Sequence, residues 1–117
     1  MNYILIAIFL FLIIQRMIPT KGVRHISTAE LKNELKDKKK QFVDVRTPTE
    51  FKGKHIREFK NIPLHELAKK AEKELSKEKD VIVICQSGVR SKKASKLLKK
   101  QGFQLVTNVK GGMNAWS

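Results

Sequence analysis

The chain of 117 residues contains a single cysteine, Cys85, and only one tryptophan and one tyrosine. A lone cysteine excludes an intramolecular disulfide framework and a metal site built from several cysteines. Acidic residues are also scarce, since 11 stand against 25 lysines and arginines for a net charge of +14. The chain nevertheless lacks the aromatic and basic platform of a nucleic-acid binder, so we expect no nucleic-acid partner.

One long apolar run stands near the N-terminus, from Tyr3 to Ile14. It has no polar face, unlike an amphipathic core helix, and it lacks the basic start and small-residue cleavage site of a signal peptide. A helix over residues 1–18 would be about 27 Å long, close to the roughly 30 Å hydrocarbon core of a bilayer. We therefore predict a transmembrane anchor over residues 1–18, a linker over 19–23 and one domain over 24–117.

The charges that flank this run predict its orientation. Arg16, Lys21 and Arg24 all follow the run, and no basic residue precedes it. Because positive flanks stay on the cytoplasmic side, we expect a single pass through the cytoplasmic membrane with the N-terminus outside. The domain would then lie in the cytoplasm, where a free thiol stays reduced.

Helical and extended patterns alternate along the remaining chain. Helices are predicted over about 28–38, 64–76 and 91–100, and strands over 41–45, 61–62, 81–84 and 105–109. The run Val81 to Ile84 consists of four β-branched residues, which is typical of a strand buried on both faces. This order predicts an α/β fold with a small parallel sheet and helices on both of its faces.

The loop after the buried strand is the strongest candidate site. It reads Cys85, Gln86, Ser87, Gly88, Val89 and Arg90, and Ser91 follows as the helix begins. Backbone amides between a strand end and a helix start can converge on an anion, and they would stabilise a cysteine thiolate. Gly88 permits unusual backbone angles, and Arg90 adds positive charge. The pattern predicts a nucleophilic thiol acting on an anionic substrate, whereas the alternative is a cysteine that is merely a small buried residue.

Three ordered motifs extend this pattern over the whole domain. They are Asp44-Val45-Arg46 with Glu50-Phe51, His55-Ile56 and Asn61-Ile62-Pro63; then the Cys85 loop; then Gly111-Gly112 with Ala115-Trp116. Together they resemble the single-domain rhodaneses, a family of sulfurtransferases. The resemblance implies a catalytic Cys85 that carries a persulfide and a binding loop over residues 86–90. It implies no metal and no organic cofactor.

Supporting roles are expected for Ser91, Asp44, Arg46 and Glu50. Arg46 and Glu50 could form an ion pair beside the loop, and Asp44 could orient nearby backbone. Two positions depart from the family pattern: Lys54 stands where a glycine usually precedes the motif histidine, and Glu58-Phe59 replaces a usual Gly-Ala pair.

The length of the loop favours sulfur over phosphate. From Cys85 to Arg90 it has six residues, as in sulfur-transferring members of the family, whereas related dual-specificity phosphatases have one more. We expect a thiosulfate sulfurtransferase that takes sulfur from a small anionic donor and passes it to cyanide, a thiol or a protein. The alternatives are a phosphatase or arsenate reductase using the same thiolate, or a non-catalytic membrane-tethered docking domain.

Overall fold

The computed structural model describes residues 3–17 and 22–117. In chain order its elements are α1 (Tyr3–Met17), β1 (Val23–Ile26), α2 (Thr28–Glu34), β2 (Gln41–Asp44), α3 (Pro48–Gly53), β3 (Lys60–Asn61), α4 (Leu64–Glu74), β4 (Val81–Ile84), α5 (Val89–Lys100), β5 (Val106–Val109) and α6 (Gly112–Ala115). The alternation of strands and helices that the sequence predicts is confirmed from β2 to α6.

All five strands form one parallel sheet in the order β1-β5-β4-β2-β3. β4 lies in the middle, where Ile84 pairs with Asp44 of β2 and Val83 pairs with Asn108 of β5. The predicted burial of β4 on both faces is confirmed, because all four of its residues are buried. The central position of β4 brings the residue that follows it, Cys85, between two neighbouring strand ends.

Alternate residues of β4 supply two separate cores. Val81 and Val83 pack with the buried residues of α4 and α5, whereas Ile82 and Ile84 pack with those of α2 and α6. This division follows from the two-residue period of a strand. Cys85 continues the first set, so its side chain lies on the α5 side of the sheet.

Two capping boxes begin the short helices. Ser27 and Glu30 cap α2 as their spacing predicts, and Thr47 and Glu50 cap α3 in the same way. Each box satisfies helix amides that would otherwise lack an acceptor. The α3 box also fixes the carboxylate of Glu50 near the end of β2, next to the candidate site.

The sequence did not predict the edge strand β1. Residue 23 was assigned to a linker, but Val23 pairs with Val106 and Ile26 pairs with Val109 of β5. Only Ile26 of this strand is buried, because the strand lies at an edge of the sheet. A single buried residue in four leaves too weak a pattern for a prediction from sequence.

The predicted transmembrane anchor is wrong. The described part of the N-terminal helix α1 covers 15 residues, Tyr3–Met17. Among residues 3–17 and 22–117, no helix is long and apolar enough to cross a membrane. The predicted single pass, with the N-terminus outside and the domain held at the cytoplasmic membrane, is therefore wrong as well. The predicted linker lies mostly outside the described residues.

Truncation of the α4 core contact should destabilise the domain. Leu67 lies on the inner face of α4 and is fully buried, so Leu67→Ala should lower the free energy of unfolding by about 2–5 kcal/mol. Leu105→Ala is the matched control, because Leu105 is 55% exposed and its truncation should change stability by about 0.5 kcal/mol or less. Urea unfolding followed by circular dichroism measures both, and equal losses would contradict the assigned core.

Candidate active site

Cys85 lies at the carboxyl end of β4, and its side chain is fully buried. The neighbouring strand ends at the same level, since the amide of Val45 donates to the carbonyl of Ile84 at 3.0 Å. Ligand sites in parallel α/β sheets form outside this edge. The position of the cysteine is therefore that of a site residue in this class of fold.

The loop that follows Cys85 curls back onto its sulfur. The amide of Gly88 donates to Cys85 Sγ at 2.9 Å, and the hydroxyl oxygen of Ser91 lies 3.4 Å from the same sulfur. The hydroxyl of Ser91 donates to the carbonyl of Gly88 at 3.1 Å, so its oxygen faces Cys85 Sγ as an acceptor. Gly88 has a φ of +104°, a backbone conformation that residues with side chains rarely adopt. An amide donor together with the start of α5 is a usual way for proteins to stabilise a thiolate.

Other amides of the loop stay available to a ligand. Among the residues that the structure describes, no acceptor contacts the amides of Gln86 and Ser87. The amides of Val89 and Arg90 belong to the first turn of α5, which has no acceptor within the helix. The site therefore offers backbone N–H donors to an anion. In the same described part of the chain, no group of three His, Cys, Asp or Glu side chains could hold a metal ion.

Arg90 is held by a carboxylate beside the loop. Its Nη1 and Nη2 donate to the two oxygens of Glu50 at 2.6 and 2.9 Å. These hydrogen bonds are the main reason that the pKa of Glu50 is lowered to about 2. The same contact raises the pKa of Arg90 above its ordinary value. The guanidinium is thus one half of an ion pair that joins α3 to α5.

A second pair, between Asp44 and Arg46, is buried almost completely. Arg46 Nη2 lies 2.8 Å from Asp44 Oδ2, and their side chains are 3% and 0% exposed. Arg46 also donates to the carbonyl of Lys54 at 2.7 Å and to Gln86 Oε1 at 3.1 Å. One guanidinium therefore connects β2, the end of α3 and the first loop residue after the cysteine.

The short helix α6 supports the loop from the other side. The amides of Met113 and Asn114 donate to the carbonyls of Cys85 and Gln86 at 2.8 and 2.9 Å. The side chains of Gln86 and Asn114 bond to each other at 2.6 Å. A Cβ on Gly112 would lie only 2.2 Å from the carbonyl oxygen of Cys85. The backbone approach that holds the loop therefore requires glycine at this position.

Comparison with known proteins agrees with this arrangement. The family model of the rhodanese-like domain matches residues 27–117. The chain belongs to the rhodanese-like family. The uncharacterized protein YqhL of Bacillus subtilis is 43% identical over 79 residues, which are 68% of this chain but only 62% of YqhL. The putative sulfurtransferase YtwF of the same organism is 39% identical over 95 residues, or 80% of this chain and 90% of YtwF.

A solved structure of the family has the same fold. The rhodanese-like domain protein from Staphylococcus aureus superposes with a TM-score of 0.73 at 37% identity, covering 80% of this chain and 91% of the other. The rhodanese-like α/β fold follows for this chain. The match covers less than two thirds of YqhL, so properties of the rest of that protein are not assigned to this chain.

The predicted site residues of this rhodanese-like domain come together, but not with the predicted partners. Glu50 pairs with Arg90, and Arg46 pairs with Asp44, so the expected ion pair between Arg46 and Glu50 does not form. Only the backbone carbonyl of Glu50 contacts Arg46, at 3.4 Å. The two residues are four apart in sequence. Arg46, just after β2, nevertheless points inward to Asp44, whereas Glu50, on α3, points toward Arg90 on α5.

Asn114 was not identified from the sequence as a site residue, and neither was the tight contact at Gly112. In the sequence, the two consecutive glycines stand out only as part of the third family motif. Two adjacent left-handed residues, with φ of 75° and 56°, are a signal for a close backbone approach. The partner of that approach, the Cys85 loop, could not be read from local sequence.

The two departures from the family pattern are accommodated locally. Lys54 has a φ of −164°, extended backbone that any residue adopts, and its carbonyl accepts the bond from Arg46. Phe59 is buried and packs against Phe42 with ring centroids 5.3 Å apart.

Adding one methyl group at Gly112 should disrupt the site. Gly112→Ala would force the loop and α6 apart, because the new Cβ would lie 2.2 Å from a backbone oxygen. We expect a loss of about 2 kcal/mol or more in the free energy of unfolding, measured with urea. Gly53→Ala is the control, since a Cβ there meets nothing within 4 Å. Equal stability of the two variants would contradict the close approach.

The ion pair of Glu50 should make stability depend on pH. Its pKa is lowered to about 2 from an ordinary value of 4.5, so the pair stabilises the fold above about pH 4.5 and is lost as the pH falls through about 2. Glu50→Gln removes the charge but can keep the capping box of α3. Near neutral pH we expect the variant to be about 1 kcal/mol less stable, because the pair is one-third exposed.

Urea unfolding of wild type and Glu50→Gln at a series of pH values measures this difference. We expect it to shrink toward zero between about pH 4.5 and pH 2. A difference that stays constant across this range would show that Glu50 acts through something other than its charge.

Proposed function

We propose that this chain is a thiosulfate sulfurtransferase that carries the transferred sulfur on Cys85. Membership of the rhodanese-like family supports sulfur transfer in general. The relative YtwF, which spans a similar length, is named a putative sulfurtransferase. The choice of Cys85 as the carrier depends on the geometry of the loop.

The contact between the Gly88 amide and Cys85 Sγ, at 2.9 Å, is the observation that carries the proposal. A structural cysteine at a strand end needs no donor aimed at its sulfur, and such residues usually sit among apolar groups alone. Here the sulfur also lies at the start of α5, whose first amides have no acceptor within the helix. This environment suits a thiolate and the anionic sulfur that it would carry.

In the first half of the reaction, the Cys85 thiolate attacks the outer sulfur of thiosulfate. A new S–S bond forms, the bond between the two thiosulfate sulfurs breaks, and its electron pair leaves with sulfite. The outer sulfur of the resulting persulfide lies about 2 Å beyond Sγ, along the new bond. The amides of Gln86 and Ser87, which have no acceptor among the described residues, can donate hydrogen bonds to this anionic sulfur.

In the second half, a thiolate or cyanide attacks the outer sulfur of the persulfide. The attacking group keeps that sulfur, and the electron pair of the broken S–S bond returns to Cys85 as thiolate. Neither half requires an oxidant, a reductant or a metal. Covalent storage divides one transfer into two displacements and leads to ping-pong kinetics.

The support around the loop explains how a buried thiol keeps one orientation. Arg46 and Asn114 each contact the side chain of Gln86, and Glu50 holds Arg90. We therefore assign these residues to positioning of the loop. The charge of Arg90 is shared with Glu50, so the backbone amides are the main binding groups for the substrate.

Thiosulfate treatment should add the mass of one sulfur atom to the protein. Because Cys85 is the only cysteine, Cys85→Ser should take up none and should lose at least about a thousandfold in sulfur transfer. Intact mass spectrometry and thiocyanate release with cyanide measure the two steps. Wild-type protein that gains no mass from thiosulfate, but hydrolyses an aryl phosphate, would support the phosphatase alternative instead.

A further inference from the structure

The outer face of α5 carries a continuous row of positive charge. The exposed residues Lys92, Lys93, Lys96 and Lys100, which we name the α5 lysine stripe, recur at a spacing of three and four residues. Such spacing places them on one side of a helix. The buried residues of α5, among them Ala94 and Leu98, face the sheet. No acidic residue occurs anywhere in α5.

The lysines of the stripe form no ion pair with any residue that the structure describes. The neighbouring helix α4 is different, because it carries three lysines and three glutamates. All three of these glutamates pair with lysines, one of them Glu66 with Lys70 within the helix. The few acidic residues of the chain thus neutralise charge elsewhere and leave the stripe uncompensated.

The stripe lowers the stability of the helix on which it lies. Lys92, Lys96 and Lys100 are like charges four residues apart, and each such pair costs a few tenths of a kcal/mol. Lys92 and Lys93 also lie near the N-terminus of α5, where the helix dipole disfavours cations. Nothing among the described residues offsets this cost. A negatively charged partner outside the chain would offset it by neutralising the lysines.

The stripe begins where the candidate active site ends. Its helix starts directly after Gly88, whose amide contacts Cys85 Sγ. Val89 lies between the Cys85 loop and the stripe, on the same face of α5 as the lysines. It is 62% exposed, which provides an apolar contact at the rim of the loop. From Val89 to Lys100 the row is about 16 Å long. Because Cys85 is fully buried, an acceptor must insert its thiol into the loop while the rest of it lies on the adjoining surface.

We infer that the α5 lysine stripe is the docking surface for an acidic protein that accepts sulfur from Cys85. This inference rests on the function proposed above and adds the class of acceptor. Opposite charges across such a surface speed up encounter and orient the partner before the close contact forms. The acceptor would place its acidic segment along α5 and its thiolate over the loop.

Two short peptides provide the probe. One contains a single cysteine among glutamates, and the other has the same length with glutamines in place of the glutamates. Wild-type protein is first loaded with sulfur from thiosulfate, and the second-order rate of transfer to each peptide is measured. We expect the acidic peptide to react about tenfold faster at low salt and to lose this advantage near 1 M salt.

The variant Lys92→Gln, Lys93→Gln, Lys96→Gln should reduce the preference for the acidic peptide close to one. Its matched control is Lys36→Gln, Lys38→Gln, Lys39→Gln, which removes the same charge from exposed lysines near the start of β2, at the end of the strands opposite the Cys85 loop. The control should keep the preference. Both variants should transfer sulfur to cyanide as wild type does. The stripe variant should unfold at a urea concentration equal to or slightly above that of wild type, because it removes like charges from α5.

Equal loss of preference in both triple variants would overturn the inference, because the effect would then come from net charge alone. Unchanged preference in the stripe variant would overturn it as well. So would a stripe variant that loses binding of a short RNA while it reacts normally with the acidic peptide. Binding of the acidic peptide with serine in place of cysteine, followed by fluorescence anisotropy, tests docking without chemistry. If Cys85 takes up no sulfur, the proposed function fails, while this binding measurement still decides whether the stripe docks an acidic partner.

Discussion

A guanidinium group that is only 3% exposed must give its N–H groups partners inside the protein, and Arg46 does so with several segments at once. Asp44 neutralises its charge. The carbonyl of Lys54, just after α3, and the side-chain oxygen of Gln86, in the Cys85 loop, accept its other hydrogen bonds. Removing one partner of such a pair leaves a buried charge and costs about 3–5 kcal/mol. The position of the Cys85 loop is therefore tied to the burial of a single cation.

The same loop is held on its opposite side by backbone alone. The carbonyl of Cys85 accepts a hydrogen bond from the amide of Met113, and Gly112 lets the two backbone segments approach closely enough for this bond. With Arg46 on one side and α6 on the other, the loop has little freedom to relax. A preorganised loop of this kind avoids the cost of ordering its amides when an anionic group enters.

Charge is distributed unevenly over the domain. Most acidic residues are used in internal pairs, such as Glu34 and Asp80 with Arg24, at the amino end of the sheet. At the other end, Glu50 neutralises Arg90, and a row of unpaired positive charge lies outward along α5. An arrangement of this sort separates the groups that hold the fold together from those that face a partner.

Local sequence was sufficient where a pattern depends only on near neighbours. Four β-branched residues determined the buried strand β4, Ser27 and Glu30 determined the start of α2, and the glycine-containing loop marked Cys85 as the candidate nucleophile. It was insufficient where the partner lies far along the chain. Only the tertiary structure decided that Glu50 binds Arg90, 40 residues away, and that Asn114 binds Gln86. Helix and strand periodicity encode which side of an element is buried, whereas ion pairs depend on which distant segments the folded backbone brings within about 3 Å.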